Sequence, residues 1–91
     1  MALRIDPDGK ETEVKLAKSD ADLKTLQDIV GGYIEIVNLN PPTRYRGKTY
    51  HAIVCDEDGL LHAKAVNNTA SNLAGMRLVG TVVLANKKEL H

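Results

Sequence analysis

The stretch LKTLQDIVGGYIE, residues 23–35, contains a helix, a glycine turn and the start of a strand in direct succession. Apolar side chains recur in it at helical spacing and predict one buried stripe, formed by Leu23, Leu26, Ile29 and Val30. Gly31 is placed to end the helix in the left-handed conformation, and Gly32 adds a second flexible joint. The alternation over residues 33–39 then predicts a strand. This succession favours a fold in which a helix packs on a sheet.

The residues around that helix support its limits. Ser19 or Asp20 precedes the apolar stripe and is suited to cap the helix N-terminus. Lys24 and Asp28 are four residues apart, a spacing that predicts an ion pair on the solvent side.

A hairpin precedes the helix. Residues 3–6 and 12–16 alternate in polarity, and Pro7-Asp8-Gly9-Lys10 between them is rich in turn-forming residues. A four-residue loop places Leu3 and Ile5 on the same face as Thr12, Val14 and Leu16, although a bulged turn is an alternative.

Two further segments follow the central strand. Residues 40–48 contain Pro41, Pro42 and Gly47, which predict an exposed loop of nine residues. Asp58-Gly59 then predicts a second hairpin, between residues 50–55 and 60–66, in a register that sets Cys55 opposite His62.

The remaining elements complete an α+β fold. Residues 67–69 offer a cap for a short helix closed by Gly75, and residues 77–85 form a last strand whose apolar side chains on both faces predict a central position. The predicted order is β-β-α-β-β-β-α-β, a small, mostly antiparallel sheet with one main helix and one short helix. We expect a single domain over residues 1–86 and a polar tail over 87–91.

Composition excludes several classes of protein. Twelve basic and twelve acidic side chains give a net charge of zero, which argues against a general nucleic-acid clamp. The chain has no long apolar run and no secretory leader pattern, so we expect no membrane contact. With one cysteine, a reducing cytosol is the expected location.

Residues suited to metal binding or catalysis are few. The acidic turns at 6–9 and 56–59 resemble the centre of a calcium loop, but the flanking ligand positions hold apolar or basic residues. We expect no metal and no cofactor. Cys55 with His62, and His51 on the same predicted face, suggest a small Cys/His enzyme, but a third catalytic member is missing.

Two segments are candidate binding sites. Gly31 and Gly32 permit close backbone approach, and Tyr33 and Glu35 share a predicted strand face from which they could contact a ligand. A basic loop supplies guanidinium groups suited to oxyanions or to an acidic protein surface, with Arg44 and Arg46 as anion contacts and Arg44, Tyr45, Arg46 and Lys48 as partner contacts. An ordinary solvated turn and loop would also explain both segments.

Most of the chain resembles a family of small proteins of phages and other mobile elements, classed as a domain of unknown function. The resemblance rests on the turn Ile5-Asp6-Pro7-Asp8-Gly9, on the LQ-(I/L)VGGYIE core within Leu23 to Glu35, and on the closing stretch from Leu78 to Val83. The basic segment from Pro41 to Lys48 departs from the common pattern. The resemblance implies a compact domain without established catalytic residues, and a setting in which small proteins act by stoichiometric binding.

Three functional hypotheses follow. The first is a non-enzymatic accessory protein in the host cytosol that sequesters a small nucleotide signal of antiviral defence. The second is a protein–protein module that inhibits or adapts a host enzyme, and the third is the Cys/His enzyme. Because Phe and Trp are absent, the core of one copy is thin, and we expect a homo-oligomer.

Overall fold

The computed structural model describes residues 2–16 and 20–86. Within them, five strands form one antiparallel sheet and two helices pack on it, which confirms the α+β class, and the elements that form follow the predicted order. The sheet order is β2-β1-β5-β4-β3. The elements are β1 (Ala2–Ile5), β2 (Glu11–Val14), α1 (Asp20–Val30), β3 (Ile34–Tyr45), β4 (Lys48–Asp56), α2 (Asn68–Ala74) and β5 (Val82–Ala85).

The two helices cover opposite faces of the sheet. On β5, Val82 and Leu84 join the cluster that packs against α2, whereas Val83 joins the cluster that packs against α1. Both faces of β5 are therefore buried, and it lies between β1 and β4, so the predicted central position is confirmed. The strand is shorter than predicted, since it begins at Val82.

Most of the predicted features of helix α1 are confirmed. Leu26 and Val30 are buried, the ammonium of Lys24 lies 3.3 Å from Asp28, and Gly31 has a φ of 81°. Leu23 is wrongly placed in the apolar stripe, because 51% of it is exposed. The alternative cap at Ser19 lies outside the described residues, as does the predicted tail at 87–91.

The register of the first hairpin differs from the prediction by one residue. Leu3 pairs with Glu13 and Ile5 with Glu11, so neither shares a face with Val14. The loop has five residues, from Asp6 to Lys10, because Asp6 belongs to the loop and not to the strand. The carboxylate of Asp6 accepts hydrogen bonds from the side chains of Arg4 and Thr81. One extra residue in the loop moves each side chain of the second strand to the opposite face of the sheet.

The predicted exposed loop at 40–48 is wrong. Strand β3 continues to Tyr45, with an irregular register between Asn38 and Thr43 and a cis peptide bond between Asn40 and Pro41. Prolines are tolerated here because β3 is an edge strand. A two-residue turn then leads into β4; its residues, Arg46 and Gly47, have φ values of 53° and 79°, as a tight hairpin turn requires.

The predicted strand at 60–66 is also wrong. Residues 57–63 form successive turns, and β4 pairs instead with β3 and β5. The amide of His62 donates to the carbonyl of Asp58, and that of Lys64 donates to the carbonyl of Gly59. The chain thus coils back, which brings the side chains of His62 and Lys64 to the end of β4.

The short helix α2 confirms its prediction. The side chain of Asn67 accepts a hydrogen bond from the amide of Ala70, and Gly75 ends the helix with a φ of 69°. Asn67 is 1% exposed and also donates to the carbonyls of Ile5 and Gly80. One amide side chain therefore joins α2 to the end of β1 and to the turn before β5.

Candidate binding site

A groove of about 510 Å³ lies at the C-terminal end of α1. It is lined by Gly31 and Gly32, which follow the helix, and by residues of the turns after β4. Its other lining side chains are Gln27, Asp28, Tyr33, Asp58 and His62. Tyr33 is 71% exposed, so its ring is available to a bound molecule.

A buried carboxylate lies beneath this groove. Asp56, at the end of β4, has a side chain that is 1% exposed. Its Oδ2 lies 2.6 Å from Nζ of Lys64 and 2.7 Å from Nδ1 of His62, and its Oδ1 accepts a hydrogen bond from the amide of Asp58. Every contact of this carboxylate is therefore a donor, as a buried charge requires.

The pKa of Asp56 reflects two opposing effects. Burial raises the pKa, but the hydrogen bonds from Lys64, His62 and the amide of Asp58 outweigh burial and lower it to about 2. The carboxylate is ionised at neutral pH and holds the ring of His62 in a fixed orientation. The side chain of His62 is 46% exposed and lines the groove, so Asp56 determines how the imidazole ring is presented there.

The ammonium of Lys64 connects the carboxylate to α1. Besides its contact with Asp56, Nζ donates a hydrogen bond to the carbonyl of Val30. That carbonyl belongs to the last turn of the helix, where a cation also interacts favourably with the helix dipole. Lys64 thereby fixes the turns at 57–63 against the end of the helix.

The glycine pair is explained by this buried ion pair. A Cβ on Gly31 would lie 3.1 Å from Nζ of Lys64, and a Cβ on Gly32 would lie 2.8 Å from Oδ1 of Asp56. The close approach predicted for the second glycine therefore exists, and the group that approaches is a carboxylate of the same chain.

The structure separates Tyr33 from Glu35. Glu35 pairs with Cys55 in the sheet and lines a second groove of about 430 Å³, on the other side of the turns at 57–63. Leu60, Leu61 and Met76 also line this second groove. The two polar side chains of the glycine segment do not face one ligand.

The basic residues lie at the other end of β3. Their tip is fixed to β2: the Tyr45 hydroxyl donates to Glu11 at 2.6 Å, and Arg46 contacts both oxygens of the same carboxylate at 3.2 and 3.1 Å. These donors hold the pKa of Glu11 below its usual value. Arg46 is thus paired with a carboxylate of the same chain although it is exposed. Arg44 and Lys48 are also exposed, and Arg44 donates a hydrogen bond to the carbonyl of Gly47.

The predicted Cys55–His62 pair does not form. The thiol of Cys55 is buried and contacts the carbonyl of Glu35, while His62 contacts Asp56. Burial, with the charges of Glu35 and Asp56, raises the pKa of Cys55 to about 11. A thiol with this pKa is protonated at neutral pH and is a poor nucleophile.

Sequence reasoning missed four important residues. Asp56 and Lys64 form an ion pair whose carboxylate is buried. Lys64 is the single polar position within the apolar run Ala63–Val66, a signal that could have indicated a lysine with a partner inside the fold. Leu60 and Leu61 were assigned to a strand, but they are 75% and 83% exposed on the turns.

Neither a metal centre nor a spanning helix is found in the described ranges, 2–16 and 20–86. No group of three acidic, histidine or cysteine side chains there is arranged to hold a metal ion. No helix in those ranges has the length and apolar character needed to cross a membrane.

The protein is a small α+β domain with two grooves, both lined in part by residues 57–62 of the turns after β4. Residues 1–90 match the family described as Domain of unknown function (DUF3846), and the chain belongs to that family. Comparisons with curated proteins and with solved structures found no match.

Proposed function

We propose that the protein is a non-enzymatic accessory protein of phages or mobile elements that acts in the host cytosol by stoichiometric binding of a protein partner. The observation that carries the proposal is the pair Leu60 and Leu61, exposed side by side on a turn that a buried ion pair holds in place. The family resemblance supports the setting, and the protonated, buried thiol of Cys55 supports a role without catalysis.

The exposed leucines have the properties of an interface anchor. Apolar side chains that are exposed together, rather than singly, are typical of surfaces that another protein covers. Met76, 51% exposed, lines the same groove and extends the apolar surface. Because Asp56, His62 and Lys64 fix the turn beforehand, binding requires little further ordering of the chain.

Charges around the leucines indicate the chemistry of the partner. Glu35 and Glu57 are exposed and line the same groove together with Asp58, and the exposed Arg77 is the one basic residue among them, so acidic side chains predominate. The complementary surface is an apolar pocket bordered by lysine or arginine side chains. Such a surface on a host enzyme would be covered by one copy of the protein.

The test is capture of a partner from host lysate by the immobilised protein. We expect a stoichiometric partner that is retained by the wild type and lost with the double substitution Leu60→Ser and Leu61→Ser. Leu23→Ser, at a leucine on α1 that is 51% exposed, is the control and should retain the partner. Equal retention by both variants would contradict the proposal.

The hairpin tip is a second candidate contact for a protein partner. Arg44 and Lys48 are exposed there, while Tyr45 and Arg46 are held by Glu11. An acidic partner surface would meet Arg44 and Lys48 first. Loss of the captured partner on Arg44→Ala with Lys48→Ala, but not on Leu60→Ser with Leu61→Ser, would assign the interface to the tip.

The alternative function is sequestration of a small nucleotide in the groove at the glycine turn. The exposed ring of Tyr33 supports this alternative, since a planar base can stack on it while the side chains of Gln27 and His62 contact its edge. Asp28 and Asp58 line the same groove and disfavour a phosphate, and the arginines are at the far end of β3.

Thermal stabilisation tests this alternative. A nucleotide that binds the groove raises the melting temperature of the wild type, and Tyr33→Ala removes the rise. Tyr45→Phe, at the distant tip, is the control and should keep it. A broad panel of linear and cyclic nucleotides that produces no shift at millimolar concentration would exclude nucleotide sequestration.

A further inference from the structure

The outer side of β3 is an unpaired sheet edge in the described part of the chain. Strand β4 pairs with one side of β3, and β3 is the last strand in the sheet order. Residues 34–38 of this edge form a regular ladder with β4, before the irregularity that follows Asn38. An unpaired, regular edge presents backbone donors and acceptors to another strand.

The backbone groups that face outward can be identified. The amide of Glu57 donates to the carbonyl of Tyr33 at 2.9 Å, so Tyr33 directs its backbone groups toward β4. In an antiparallel ladder this direction alternates along the strand. The amides and carbonyls of Ile34, Ile36 and Asn38 therefore point away from β4, toward solvent.

This part of the edge lacks the features that usually block strand addition. Residues 34–38 contain no proline and no lysine, whereas Pro41 and Pro42, further along, have no amide hydrogen to donate. The edge also has an exposed apolar side chain where a charged one would block pairing, since Ile36 is 46% exposed. The opposite edge of the sheet is shorter, since β2 has four residues, and its Glu11 is held by the hairpin tip.

We propose that two copies of the chain pair through β3, antiparallel, with Ile36 on the two-fold axis. Ile36 then exchanges both backbone hydrogen bonds with Ile36 of the second copy, and Ile34 does the same with Asn38. Glu35 lies opposite Val37, so no like charges meet across the axis. The two five-stranded sheets become one continuous sheet.

Other positions of the axis fit less well. An axis at Glu35 sets two carboxylates directly opposite each other, which destabilises the pairing. An axis at Asn38 brings Pro42 opposite Ile34, where the proline cannot donate. The axis at Ile36 uses all three outward-facing residues and ends before the prolines.

The register is tested by disulfide formation between copies. In the proposed pairing, Glu35 and Val37 form a non-hydrogen-bonded pair, whose Cα atoms are about 4.5 Å apart, within reach of a disulfide. In a Cys55→Ser background, a mixture of the Glu35→Cys and Val37→Cys variants should form a mixed disulfide under mild oxidation. Homodimers that form as readily from either variant alone would overturn the register.

Association itself is tested by sedimentation velocity on the full chain. Ile36→Lys places two ammonium groups opposite each other and should weaken dimerisation by about tenfold or more. Thr12→Lys, on the exposed part of the opposite edge, is the matched control and should dimerise as the wild type does. A wild type that stays monomeric at millimolar concentration, or a folded Ile36→Lys variant that dimerises normally, would overturn the proposal.

Discussion

The carboxylate of Asp56 occupies the space that a side chain on Gly32 would need, since a Cβ there would lie 2.8 Å from Oδ1. Both groups are constrained: Asp56 is held by Lys64 and His62, and Gly32 is the second residue after the end of α1. We therefore expect Gly32→Ala to destabilise the fold by about 1–3 kcal/mol, the usual cost of overpacking. Chemical denaturation measures this change.

A double-mutant cycle tests the cause. If the clash with Asp56 is responsible, Gly32→Ala should cost less in an Asp56→Ala background, where the obstructing carboxylate is gone. An equal cost in both backgrounds would show that Gly32 is required for another reason.

The low pKa of Asp56 predicts a loss of stability in acid. In the unfolded chain this carboxyl has a pKa near 3.8, and in the folded chain about 2. Its contribution is therefore fully present above the unfolded value and is lost as the pH falls through about 2, by about 2 kcal/mol. Denaturation at a series of pH values should show a smaller acid loss for Asp56→Asn than for Asp28→Asn, which replaces an exposed carboxylate on α1.

The buried thiol of Cys55 predicts slow alkylation. Because its pKa is raised to about 11, almost no thiolate exists at pH 8, and burial also hinders access. Iodoacetamide should modify the native protein far more slowly than it modifies free cysteine, and denaturant should remove the difference. A native protein that reacts faster than free cysteine would instead support the hypothesis of a Cys/His enzyme.

The hairpin tip predicts one abnormal tyrosine. The hydrogen bond to the Glu11 carboxylate, together with burial, raises the pKa of the Tyr45 phenol above 10. Titration followed by absorbance should therefore show a late-ionising phenol that Tyr45→Phe removes. Glu11→Gln removes the negative charge and should lower that pKa, whereas Glu13→Gln, on the same strand, should leave it unchanged.

The parts of the fold that depend on local chemistry could be predicted. Gly31 and Gly75 end their helices as expected, and Asn67 caps α2, because each of these residues acts on its nearest neighbours. The position of β5 also followed from the sequence, since side chains that are apolar on both faces require cover on both sides.

The parts that depend on contacts between distant segments could not. The alternation over residues 60–66 resembles a strand, but Lys64 turns back to a buried acid and to the end of α1, an arrangement that no local pattern indicates. Likewise, Pro41 and Pro42 suggested a loop because the edge position that tolerates them is a property of the assembled sheet. The predicted ligand site was wrong for the same reason. It combined Tyr33, Glu35 and the arginines, which are close in sequence but lie apart in the assembled sheet.

The buried amide of Asn67 has a consequence for the order of folding. It caps α2 with its oxygen while its nitrogen donates to Ile5, 62 residues earlier, and to Gly80. A seven-residue helix has little stability alone. We therefore expect helix α2 to form only after β1 and β5 have met, and we expect its amide hydrogens to exchange with solvent almost as slowly as those of the central strands.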